Sequence, residues 1–172
     1  MIKVLGCIMI ICASTGIGFI YAEGFKKRTK YLNEFLRCIY VLQNSIEYTH
    51  TPLPEALQDI SKKSIDPIKD IFEEVSSLLF SNNVNSVYEA FNQVLNNNNY
   101  NLNLKKEDIN ILLDLGKSLG ESDIQGQNRI FCLTLENLRK QIKGSESLMN
   151  KSVRMYRYLG FLVGTMVVVI LV

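Results

Sequence analysis

The chain has 172 residues, 47% of them hydrophobic, and its 19 basic and 17 acidic side chains leave a net charge of +2. So even a balance leaves no nucleic-acid footprint, which would show as a basic face. One histidine and four dispersed cysteines exclude a disulfide framework and a metal centre of usual ligand spacing.

Residues 4–22 carry no charge. At ~1.5 Å rise per residue such a run covers a hydrocarbon core of roughly 30 Å, which predicts an N-terminal transmembrane helix over 1–23. A cleaved signal peptide is the alternative, since Lys3 and the apolar run imitate its first two regions. The small-residue cleavage context is poor, with Tyr21 between Ile20 and Ala22. Lys26, Lys27, Arg28 and Lys30 follow directly, and Leu32, Phe35, Leu36, Ile39, Leu42 and Ile46 then recur at three and four as one stripe of an amphipathic helix.

That helix is expected to stop at Thr49-His50-Thr51-Pro52-Leu53-Pro54, because two prolines exclude its continuation, and Pro54 suits the first turn of a short helix through Ile60. Asp66-Pro67 reads as the next start, Asp66 capping and Pro67 supplying the dihedral, with Ile68, Ile71, Phe72, Val75, Leu78 and Leu79 on the buried face. A turn at Asn82-Asn83 precedes a helix with Val87, Phe91, Val94 and Leu95 on one side. Asn96 to Asn103 reads as a loop, because Asn competes with the helix backbone for hydrogen bonds. Leu104 to Leu119 resumes the helical pattern and ends at Gly120, after which Ser122 or Asp123 caps the last helix.

In that last helix Ile124, Phe131, Leu135, Leu138, Ile142, Met149, Val153 and Tyr156 follow a heptad seam, with the Gly144-Ser145 pair as a place to bend. Residues 158–172 again carry no charge, which predicts a C-terminal transmembrane helix preceded by Lys151, Arg154 and Arg157. Both basic clusters flank the middle segment, so the positive-inside bias places 24–157 in the cytoplasm as one helical domain. The fold class expected is all-α, an antiparallel helical bundle between two transmembrane helices.

Catalytic chemistry has little footing, and no cofactor is expected. His50 sits in a proline turn without an orienting partner, and Glu73-Glu74 reads as a solvated helix face. Gly16-x-Gly18 lacks the third glycine of a phosphate loop and follows no strand. Cys38 and Cys132 read as reduced packing cysteines. Gly16, Gly18, Gly160 and Gly164 belong instead to small-residue spacings that let membrane helices approach closely, with one another or with partners.

Four segments together resemble the stage III sporulation protein AB family of endospore-forming bacteria over nearly the whole chain. They are the N-terminal span leading into a basic helix, Thr51-Pro52-Leu53-Pro54-Glu55-Ala56-Leu57, Leu119-Gly120-x-Ser122-Asp123, and Tyr158-Leu159-Gly160-Phe161-Leu162-x-Gly164. The proline segment also resembles a turn in cytoplasmic domains of the type II secretion F component, which are helical scaffolds; that family has duplicated domains and more spans. The resemblance implies a membrane scaffold around the forespore, in the mother-cell membrane, within the channel complex linking the two compartments. Implied partners are the secretion-type ATPase of that complex, stage III sporulation protein AA, other membrane subunits, the lipid bilayer and further copies of the chain. Pro52, Leu53, Pro54, Gly120, Ser122 and Asp123 are the turn or partner-facing candidates. A different class of function stays open: a membrane-tethered sensor or regulatory module, which needs a ligand-sized pocket between helices.

Overall fold

In the computed structural model the backbone is described for residues 2–96, 102–119 and 124–171, and side chains for 23–96, 102–119, 126–151 and Met155, Tyr158, Leu162 and Met166. All regular structure among them is α-helical: α1 (Ile2–Glu47), α2 (Leu53–Ser61), α3 (Ile68–Phe80), α4 (Val87–Asn96), α5 (Lys106–Leu119) and α6 (Ile124–Leu171). The helices α1 and α6 are the long ones, with 46 and 48 residues. Two compact units result, a central one of residues 30–142 and a terminal one of residues 1–29 with 143–172.

The core of the central unit is the set of apolar stripes laid together. Leu32, Phe35, Ile39 and Leu42 of α1 are buried, as are Ile68, Ile71, Phe72 and Val75 of α3 and Phe131, Leu135, Leu138 and Ile142 of α6. Helix α2 packs on α3, α3 on α4, and α4 on α5. Phe72 joins the layers, its ring centroid 6.0 Å from that of Phe35 and 6.2 Å, edge-on, from that of Phe91. Helices α1 and α6 run antiparallel in this unit: Arg139 donates to the Tyr40 hydroxyl and lies over its ring, and Asn128 faces the Glu47 carboxylate.

Local signals place most helix ends. Pro52 precedes the first residue of α2 and Pro54 lies in its first turn. The turn after α3 contains Asn82 at φ 50°, a left-handed position that Asn tolerates. Ser86 caps α4, its hydroxyl accepting from the Glu89 amide, and the Glu89 carboxylate reaches back past the cap to accept from the Asn85 amide.

Asp66 does not cap α3. The cap is Pro67, without a side-chain hydrogen bond. The Lys69 amide already donates to the Ile65 carbonyl at 3.0 Å, so main chain supplies the acceptor that Asp66 was expected to be. Helix α5 starts at Lys106, two residues after Leu104, because Asp108 reaches back to accept from the Lys105 amide at 2.9 Å and fixes the first turn there. Cys38 is buried as expected, but Cys132 is exposed: it sits one position past Phe131 on α6, about 100° around the helix from the seam.

In the terminal unit α1 and α6 are joined by polar groups. The Thr29 hydroxyl donates to the Phe25 carbonyl at 3.1 Å, and the Ser145 hydroxyl lies 2.7 Å from the Thr29 oxygen. Helix α6 continues unbroken through Gly144-Ser145. Among the described residues no helix is long and apolar enough to cross a membrane. Of the expected spans only Glu23, Tyr158, Leu162 and Met166 have described side chains, all exposed; the others, Gly16, Gly18, Gly160 and Gly164 among them, lie outside the described set.

Two glycines test the packing in opposite directions. A Cβ at Gly116 would stand 3.2 Å from the Tyr88 Cα and 3.4 Å from the Phe91 ring, whereas one at exposed Gly144 meets nothing within 4 Å. Gly144→Ala is expected to stabilise by ~0.5–1 kcal/mol through helix propensity. Gly116→Ala meets backbone that must shift, and a net loss of ~1 kcal/mol is expected. Chemical denaturation of the full-length variants in detergent checks both signs.

Candidate partner-facing site

The proline turn is built from main-chain closure. Beyond Glu47 the Tyr48 amide donates to the Asn44 carbonyl and the Thr51 amide to that of Ser45, while the Thr49 hydroxyl donates to the Ser45 carbonyl at 2.6 Å. His50, at φ 49°, turns the chain away from α1. The Pro52 carbonyl then accepts from the Ala56 amide at 2.9 Å and opens α2.

This geometry divides the three residues singled out here. Leu53 and Pro54 are half-buried; Leu53 packs on the core, and the Pro54 carbonyl accepts from the buried Ser76 hydroxyl at 2.8 Å. Pro52 is exposed, beside exposed His50 and Tyr48, the latter 77% accessible. The outward edge is thus Tyr48, His50 and Pro52, with Leu53 and Pro54 anchoring it to α3. Sequence reasoning missed Tyr48; the available signal was an aromatic one position past the helix end and off the apolar stripe. Gly120, Ser122 and Asp123 lie outside the described residues. The start of α6 that follows them is brought to this turn by the meeting of Asn128 with Glu47.

A second polar cluster holds the loop between α2 and α3 against α1. Arg37 donates to Glu34 at 2.6 Å and to the Lys63 carbonyl at 2.8 Å, and the Glu34 carboxylate accepts from the Ile65 amide at 3.3 Å. The Arg37 hydrogen bond is the main reason that the Glu34 carboxyl titrates below its ordinary 4.5, burial opposing it. A lowered folded pKa makes this contribution complete above pH 4.5 and progressively lost as pH falls through the lower folded value. Acid titration of stability is therefore expected to be shallower on that limb in Glu34→Gln than in the native chain.

Beside this cluster Cys38 lies 3.2 Å from the Ser64 hydroxyl, and burial pushes its thiol up to about 11. It stays protonated at neutral pH, and thiolate is the reactive form. With Cys7 and Cys12 replaced by Ser, a maleimide is expected to modify Cys132 promptly and Cys38 only after denaturant is added. Prompt modification of both thiols in that variant while it is folded would contradict that arrangement.

Two open grooves lie among the described residues. One of about 440 Å³ lies between the α3–α4 turn and α5, where Lys117 sits over the Tyr88 ring at 5.0 Å and pairs with Asp114. The other, about 230 Å³, lies between α5 and α6 under half-exposed Leu133.

A family model described as stage III sporulation protein AB matches residues 3–172. The chain belongs to the stage III sporulation protein AB family. A curated relative, Stage III sporulation protein AB of Bacillus subtilis (strain 168), is 30% identical over 171 residues, covering 99% of both chains. A solved structure of Stage III sporulation protein AB is similar at a TM-score of 0.66 and 28% identity, over 72% of this chain and 96% of that one. Membership places the chain among sporulation proteins and agrees with the helical bundle.

Proposed function

We propose that this protein is a non-catalytic membrane scaffold of the sporulation channel complex, anchored by both termini in the mother-cell membrane around the forespore. Its helical domain meets the secretion-type ATPase of that complex in the cytoplasm, and its spans meet other membrane subunits. The observation that carries the anchoring is the pair of uncharged runs at opposite ends of the sequence, each with its basic residues on the inner side; within the terminal unit the Thr29–Ser145 bond pairs α1 with α6, which supports a common anchor. Two uncharged runs with basic residues on their inner flanks fit a hairpin with both ends outward.

The proline turn, with Tyr48, His50 and Pro52 outermost, is the surface offered to the ATPase. It is a loop held by a rigid scaffold, a placement that binding residues favour. The likeness of this turn to the type II secretion F component points the same way. The alternative, a sensor or regulatory module, would use the groove of about 440 Å³ beside Tyr88 and Lys117, the ligand-sized candidate described above.

Co-purification tests the reading. The full-length chain is expected to retain the ATPase, stage III sporulation protein AA, in detergent, and Tyr48→Ala with Pro52→Ala to weaken that capture at unchanged stability. Topology is read in sporulating cells from Cys132 and an appended C-terminal cysteine. An impermeant thiol reagent should reach the second from the intermembrane side and not the first. Labelling of Cys132 from outside would end the coupling model, because the ATPase could not touch the domain.

A further inference from the structure

Five large apolar side chains of α6 stand exposed in the terminal unit: Leu148, Met155, Tyr158, Leu162 and Met166, 42% to 69% accessible. Their spacings of seven, three, four and four keep them within about 80° of arc at ~100° per residue, so they form one outward stripe. It is not the seam of Phe131, Leu135, Leu138 and Ile142, which the central unit buries. Exposed Lys151 lies on the same arc, while Glu146 and Asn150, also exposed, lie off it.

The stripe runs across the expected membrane boundary. Residues 158–172 are uncharged, but Leu148 lies ten residues earlier, about 15 Å along the helix, among charged positions. Acyl chains that cover Tyr158, Leu162 and Met166 leave Leu148 and Met155 in water, where exposed apolar surface is costly. A helix covers the whole stripe only if it is itself apolar on both sides of that boundary. The α6 of a second copy has this profile at the same heights, since copies inserted in one membrane share one orientation and their α6 helices run parallel. Leu148, Met155 and Leu162 repeat at seven, with Lys151 and Tyr158 three positions after the first two, the spacing of a parallel two-stranded seam. At roughly 200 Å² for a fully exposed side chain of this size, the stripe offers about 550 Å² a copy. Two copies offer ~1,100 Å², above the ~1,000 Å² that a specific interface needs.

We infer that a second copy of this chain covers the outward stripe, the two α6 helices running parallel with Leu148, Met155, Tyr158 and Leu162 in the seam. This rests on the membrane reading above, which sets the copies in one orientation, and adds the surface by which they meet. Charge opposes the pairing. Of the 19 basic and 17 acidic residues the terminal unit holds eight and two, leaving 11 and 15 for the central unit, and Lys151 of each copy borders the seam. A lysine keeps its stem on apolar neighbours and its head in water, which limits that cost. Association is therefore expected to tighten as salt screens the like charges, the opposite of binding to an acidic partner.

The test uses the full-length chain in phosphatidylcholine vesicles at low protein density, with Cys7, Cys12 and Cys132 replaced by Ser and buried Cys38 kept. One cysteine is placed in the seam, by Leu148→Cys or Leu162→Cys, or outside it by Asn150→Cys, and disulfide formation under a mild oxidant is read on a non-reducing gel. Each seam cysteine is expected to give at least about fivefold more dimer than Asn150→Cys, because facing thiols react at the effective concentration of a bound pair. That excess is expected to grow with salt. Equal yields at all three positions, a larger yield from Asn150→Cys, or an excess that fails to grow with salt would overturn the pairing. Shielding of Cys38 from maleimide checks each fold. Where one seam variant loses it, the other decides; where both do, light scattering of the native chain in mild detergent decides, two copies per particle supporting the pair and one overturning it.

Retention in the vesicles after an alkaline wash reports the anchoring separately. Loss there defeats the membrane reading itself, whereas retention with no seam excess defeats only the pairing.

Discussion

Phe72→Ala is expected to remove ~3–5 kcal/mol of stability, the usual cost of deleting a buried aromatic ring whose surroundings relax only partly. Phe72 is 1% accessible and contacts rings on two other helices, Phe35 on α1 and Phe91 on α4, so its loss opens a void where three elements meet. Since a domain of this size is stable by only about 5–15 kcal/mol, that is a large share. Phe80, on the same helix but 52% accessible, is the control. Phe80→Ala should change stability by under ~1 kcal/mol, as surface substitutions do. Guanidinium unfolding followed by circular dichroism, on the full-length chain in detergent, measures both; equal losses would show that α3 does not present its Phe72 face to the core.

Thr29→Val is the second large effect expected, ~1–3 kcal/mol, because the buried Ser145 hydroxyl loses its hydrogen bond to residue 29 while the shape of that residue is kept. Ser145→Ala should cost less, since the Thr29 hydroxyl keeps its bond to the Phe25 carbonyl. The double variant leaves no unpaired Ser145 hydroxyl and should recover part of the Thr29→Val loss. A double-mutant cycle reads this as a coupling of about 1 kcal/mol, and strictly additive losses would argue against the direct bond.

Much of the fold was legible beforehand, for identifiable reasons. Period-3.6 stripes such as Leu32, Phe35, Ile39 and Leu42 announce a helix and its buried face together, because one spacing serves both. Proline and asparagine marked the breaks at Pro52–Pro54 and Asn82, where they restrict or tolerate particular dihedrals. Local chemistry misled where the main chain offered a competing bond, as at Asp66, whose capping role passed to the Ile65 carbonyl. The site was half legible. Composition singled out the proline turn, but only packing separated outward Pro52 and Tyr48 from Leu53 and Pro54, which serve the core.

By itself the sequence determined the helix count, the stripes that become the core, the uncharged ends with their basic flanks, and the family. These rest on interactions within a few residues, or on composition, and so are written locally. Tertiary structure alone decided that Thr29 meets Ser145, 116 residues away, and that Arg37 clamps the α2–α3 loop. It alone showed that a near-neutral chain separates into a basic terminal unit and an acidic central one. Such pairings depend on how whole helices dock, and docking is settled by the fit of many apolar side chains at once, which no short window of residues encodes.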